Sequence, residues 1–214
     1  MKRAGRTLAR LTRLHSTART LARSLSARDA LFQRVPTRAR CDLIEAALSE
    51  GRACARSIAR DWGSDPWFIA QRLGIEVVDS PAEANFGSVT LFAQYTGRPP
   101  TITLYPGAIA KLRRLVASQV RAMLDPHACK AMFLAHELYH HLARIALKPP
   151  PSRSCRVTLV ELGPWRWTSG IACVEEIEAG AFAQNLLGLS FHPYLLDLLW
   201  TRGQRVAQKE RVKR

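Results

Sequence analysis

The chain has 214 residues, enough for one domain with its own core, and nearly half of them are hydrophobic. Its net charge of +15 sits in the two ends: residues 1–40 carry eleven Lys/Arg against Asp29, residues 201–214 carry six against Glu210, and residues 41–200 are neutral. No stretch reads as a transmembrane segment and no secretory-type apolar run precedes Asp29, while five irregularly spaced cysteines without a CxxC argue against a disulfide framework and for a reducing, cytoplasmic setting.

Residues 1–40 form a basic arm. Leu8, Leu11, Leu14, Ala18, Leu21 and Leu25 fall at helical spacing with arginines on the other faces. This amphipathic, acid-poor pattern fits a transit-type segment and equally a surface-binding helix. Such an arm suits contact with nucleic acid, acidic lipid or an acidic partner, and equally a solvated extension. The tail at 201–214 has the same character, so nucleic-acid contact is expected only as an auxiliary of these ends.

The globular body is expected over 41–200. A helix is predicted from Cys41 to Gly63, on the apolar stripe Leu43, Ile44, Ala47, Leu48, Cys54 and Ile58. Asp65-Pro66 opens a second, short helix that closes at Gly74, and "IEVV" follows as a strand. "GSVTLFAQY" and "TITLYP", separated by "TGRPP", read as neighbouring strands or a hairpin. Helices are predicted over 108–124, 127–147 and 172–188, with a short one over Tyr194–Thr201. The Pro-rich stretch 148–170 reads as a long loop holding at most one strand.

Within the 127–147 helix stands "AHELYHHL". His136 and His140 are four apart, so both imidazoles lie on one helix face and can reach a single ion about 2 Å from each. Glu137, beside the first histidine, can reach a water on that ion without ligating it; this is the mechanical content of HExxH. A merely solvated face would favour Lys, Arg, Gln or Glu at such positions. Zn²⁺ suits the imidazole ligands, and a catalytic site needs a third protein ligand with one open position. Ala143 and Ala146 stand where the extended motif would carry glycine and a third histidine. The third ligand must therefore come from another element.

"VEEIEAGAFAQNLLG" offers Glu175, Glu176 and Glu178. Glu176 shares a face with Ala179, Gly180 and Ala183, small residues that let two helices approach closely enough for a carboxylate to touch an ion held by the other. Glu175 and Glu178 read instead as ordinary acids of a first turn, complementing the helix dipole.

Taken in order, "DPWFIAQRLGIEVV", "TITLYPGAI", "FLAHELYHHL" and "EEIEAGAFAQNLL" resemble the ImmA/IrrE family of zinc metallopeptidases. The last is similar to that family's second motif, E-x-x-A-N-x-F-A, with Gly180 in place of the usual asparagine. The resemblance covers roughly residues 60–190 and also puts the third ligand on Glu176. It implies an α+β, zincin-like metallopeptidase domain, with a small β-sheet packed against the HExxH helix and further helices. It also implies an antirepressor role, in which a DNA-binding transcriptional repressor is the protein substrate.

The expected activity is thus zinc-dependent endopeptidase hydrolysis. His136, His140 and Glu176 hold Zn²⁺, and Glu137 moves the proton from the attacking water to the leaving amine. Tyr139, His141, His192 and Tyr194 are conceivable donors to the oxyanion, but Tyr139 and His141 point away from the ligand face and read as structural, and His192 reads first as a surface or core histidine. The alternative is a non-catalytic zincin-fold regulator that binds a repressor or toxin partner, with the basic ends on nucleic acid. An intact Glu137 argues against it, because a binding module has no use for that carboxylate.

Overall fold

The computed structural model describes residues 17–82, 85–86, 89–116, 125–146, 148–162 and 165–212. It is a mixed α+β fold, mostly helical, with small sheets. The leucine pattern at Leu8–Leu14 and the residues 117–124 of one predicted helix lie outside the described part.

Structure starts earlier than Cys41. Helix α1 (Ala18–Ser26) is capped by Thr17, whose hydroxyl accepts from the Thr20 amide, and it buries Leu21 and Ala22 completely. A short 3-10 turn at Phe32–Arg34 follows, and helix α2 runs Thr37–Trp62. Phe32 and Val35 are buried with Ile44, Ala47 and Leu48 of α2. Residues 18–40 therefore contribute to the packed body, although their composition reads as an arm. What composition misses is that a single apolar stripe on an arginine-rich helix suffices to dock it.

Asp65 caps helix α3 (Pro66–Arg72) through the Trp67 amide, and strand β1 (Glu76–Asp79) follows. Strands β2 (Asn85–Phe86) and β3 (Val89–Thr90) pair with each other. Strands β4 (Ala93–Gly97) and β5 (Pro100–Leu104) form an antiparallel hairpin, with Tyr95 opposite Ile102. β1 adds to β5 in parallel, giving the order β1-β5-β4. Among the described strands, β4 is thus an edge. Helix α4 (Pro106–Leu115) begins at a proline, which needs no donor in a first turn.

Helix α5 (Pro126–Ile145) lies on this sheet. Asp125 caps it by accepting the Ala128 amide at 2.7 Å, and Pro126 takes its first position. Its apolar face, Leu134, Ala135, Leu138 and Ala143, packs with Ile102 and Leu104 of the sheet, Ile69 of α3 and Phe182.

The 148–170 stretch is more ordered than its prolines and tryptophans suggest. It holds a one-turn helix α6 (Pro151–Ser154) and a hairpin of β6 (Arg156–Leu162) and β7 (Trp165–Gly170). A bulge between Thr158 and Val160 puts Val160 opposite Trp167. Val157 at the base is buried, whereas Trp165 and Trp167 are 74% and 71% exposed.

Helix α7 (Ala172–Leu186) crosses both α2 and α5. Its contact with α2 depends on Gly51, where an added Cβ would lie 2.2 Å from the Glu178 carbonyl oxygen. Only a missing side chain permits that backbone-to-backbone approach. Asp29 fixes the start of α7: its carboxylate accepts from Leu31, Phe32 and, at 3.1 Å, the Cys173 amide. That satisfies an amide with no partner inside its own helix and places negative charge at the N-terminus. Burial works against the Asp29 charge, but these backbone bonds prevail and keep its pKa below the ordinary value. Helix α8 (Tyr194–Val212) carries the expected short helix on through most of the basic tail. Among the described residues no helix is long and apolar enough to cross a membrane.

Candidate metal centre

α5 presents its second face to α7 and to edge strand β4. One donor atom from each of His136, Glu137 and His140 lies within 4.8 Å of the others. Opposite them stands Glu176, one turn into α7. His136 Nε2 is 3.1 Å from Glu176 Oε2, and His140 Nε2 is 3.7 Å from Glu176 Oε1. Two ligand atoms bound about 2.0–2.1 Å from one zinc at a tetrahedral angle sit about 3.3 Å apart. The two separations, each to a different oxygen of Glu176, lie near that value, so Glu176 stands within reach of the His-Glu-x-x-His group that could hold a metal.

The residue beside Glu176 also takes part. His140 Nδ1 donates to Glu175 Oε1 at 2.8 Å. With its proton held at Nδ1, the imidazole turns Nε2 toward Glu176 and the ligand position. Glu175 is therefore not a plain first-turn acid. Two adjacent acids serve because the bond of His140 to Glu175 leaves its other nitrogen free to face Glu176.

Glu178 departs further from its sequence reading. It is completely buried and accepts three hydrogen bonds: from the Ser152 amide at 2.8 Å, the Ser152 hydroxyl at 2.6 Å and the Tyr139 hydroxyl at 3.0 Å. Burial nevertheless outweighs these donors and pushes its carboxyl up to about 7. Here the helix dipole matters less than the closed pocket formed by α5, α6 and α7.

The electrostatics of the centre follow from burial and pairing. Loss of water opposes the His136 imidazolium, but the hydrogen bond and charge of Glu176 prevail and hold it up at about 9. Burial opposes the Glu176 carboxylate in turn, and the His136 partner brings it down to about 2. Burial raises Glu137 above the ordinary carboxylate value, against the pull of both histidines. Glu137 Oε2 accepts the Tyr95 amide of β4 at 3.0 Å, which orients it toward the histidines. The same Tyr95 places its hydroxyl 2.9 Å from His141 Nδ1, so β4 is tied to α5 on two sides.

Tyr139 and His141, which read as structural, are engaged with Glu178 and Tyr95 respectively. His192 and Tyr194 line a cavity of about 320 Å³ together with His136, Glu137, Glu176 and Asp197. His192 is fully buried, and its Nδ1 accepts the Tyr194 amide at 3.3 Å. Its ring fills the space beside Gly180, where a Cβ would come within 2.2 Å of the imidazole. The glycine is thus matched to the histidine, a pairing that pattern reading of either segment alone does not reveal. Asp197 of α8 was likewise not singled out from the sequence. Asp197 keeps solvent contact, but partial loss of water raises its carboxyl to about 6, with His136 pulling the other way.

All five cysteines, Cys41, Cys54, Cys129, Cys155 and Cys173, are free thiols. Comparison with protein-family profiles, with curated proteins and with solved structures finds no match.

Proposed function

We propose that the chain is a zinc-dependent endopeptidase of the zincin type, akin to the ImmA/IrrE family. The observation that carries this reading is the approach of one α7 carboxylate, Glu176, to the Nε2 atoms of both α5 histidines, with a Glu137 oxygen clustered beside them. A divalent cation there supplies Lewis acidity, lowering the pKa of a water and polarising a carbonyl. His136, His140 and Glu176 would hold it. Glu175 fixes the tautomer of His140. Glu137, whose carboxyl burial raises above the ordinary carboxylate value, accepts the proton of the attacking water and passes it to the leaving amine.

A peptide substrate is favoured by the edge strand. The Tyr95 amide points to Glu137, off the open side of β4, so an extended chain aligned along that edge runs past the proton-transfer group. The resemblance of the motifs extends the proposal to a protein substrate of the transcriptional-repressor kind. The free thiols accord with a reducing, cytoplasmic location.

The test is zinc stoichiometry beside peptide cleavage. Glu137→Gln keeps one zinc per chain and lowers the cleavage rate by about a thousandfold. Glu176→Ala loses the zinc. Normal cleavage by Glu137→Gln sinks the mechanism, and a wild-type chain that binds zinc yet cleaves no repressor or peptide supports the non-catalytic regulator instead.

A further inference from the structure

The cavity opening on the centre has a wall that peptide-bond chemistry does not itself require. Leu25 of α1, Leu91 and Phe92 before β4, Met132 and Phe133 of α5, and Pro193 make it largely apolar. Asp197 of α8 stands among them. It is exposed, and no described residue forms a hydrogen bond or ion pair with it. Among the described residues no lysine or arginine lines the cavity. With a divalent cation held by His136, His140 and Glu176, the carboxylates of Glu137, Glu176 and Asp197 still exceed it by one negative charge. At about 320 Å³ the space lies at the small end of ligand pockets and suits one long side chain.

We propose that this cavity is the specificity pocket of the centre, that it receives a lysine or arginine side chain flanking the scissile bond, and that Asp197 selects it. The proposal rests on the peptidase reading for the identity of the ligand, and on Asp197 and the apolar wall for its chemistry. A lysine or arginine covers apolar surface with its methylene stem and brings its cationic end to a carboxylate. A leucine leaves Asp197 partly desolvated with no partner, and an acidic side chain meets the remaining excess of negative charge.

The experiment is a titration of the full chain with n-butylguanidinium and with its neutral counterpart n-butylurea, followed by calorimetry or by amide shifts. The cation binds about tenfold more tightly, Asp197→Asn removes the difference, and Asp197→Glu keeps it. Equal binding of the two probes, or a preference that survives Asp197→Asn, overturns the proposal. In cleavage assays Asp197→Asn lowers the ratio of kcat/KM for lysine- or arginine-containing peptides to that for leucine peptides by about tenfold. A zinc-loaded chain that prefers the cationic probe through Asp197 but hydrolyses nothing retires the peptidase reading and retains the cationic pocket. A chain that hydrolyses peptides with no probe preference retains the peptidase and retires the pocket.

Discussion

Glu176 and Glu178 sit two residues apart on α7, both reach α5, and they end in opposite circumstances. The Glu176 carboxylate is 46% exposed and faces two imidazole nitrogens, atoms that can exchange a proton for a metal ion. The Glu178 carboxylate is fully buried and faces an amide and two hydroxyls, donors that can only fill its lone pairs. The difference separates a site from a joint. A carboxylate becomes a ligand where its partners have lone pairs of their own and water can reach the space between; closed in by donors, it fastens helices together.

The most severe way to break that contrast is to empty the joint. Glu178→Leu leaves the Ser152 amide and the Tyr139 hydroxyl without acceptors, and unfolding in urea should show a loss of about 2–5 kcal/mol. Zinc stoichiometry, measured on the fraction that remains folded, should be unchanged. If stability is retained, the three hydrogen bonds to Glu178 do not fasten α5, α6 and α7.

Glu175→Gln acts on the site without touching a ligand. It keeps an acceptor for His140 Nδ1 but removes the charge that strengthens the imidazole as a donor to metal. Competition with a chelating dye should show zinc affinity reduced by about 10–100-fold, with folding unaffected. An unchanged affinity would mean that His140 is oriented by packing alone.

A smaller, graded effect comes from pH. Glu176 holds His136 protonated up to about 9, and a metal ion requires that imidazole neutral. Zinc binding must therefore expel a proton below that value. Apparent affinity should rise by about tenfold per pH unit toward pH 9 and level off above it, and uptake in weak buffer should acidify the solution. A pH-independent affinity over this range would mean that His136 is not held protonated by Glu176.

The HExxH spacing placed His136, Glu137 and His140 on one face of a helix, and the structure has them there with donor atoms clustered. The helix start at Asp65-Pro66 was legible because a capping carboxylate and a first-turn proline are local signals, and the same pair at Asp125-Pro126 opens α5. The β6–β7 hairpin was not, since its register depends on a bulge and on pairing across Gly163-Pro164 that no periodicity announces. Asp29 looked like the lone acid of a basic arm, yet it caps α7 from 144 positions away.

By itself, then, the sequence determined which side chains could carry metal and proton chemistry, because spacing along one helix is set by backbone geometry alone. Only the tertiary structure decided the rest. Gly51 brings α2 against α7, Gly180 makes room for His192, and the crossing of α5 with α7 turns Glu176 toward the histidines while sealing Glu178 away. Those outcomes depend on distances between elements remote in the chain, which are set by packing many side chains at once and leave no mark in any short stretch of residues.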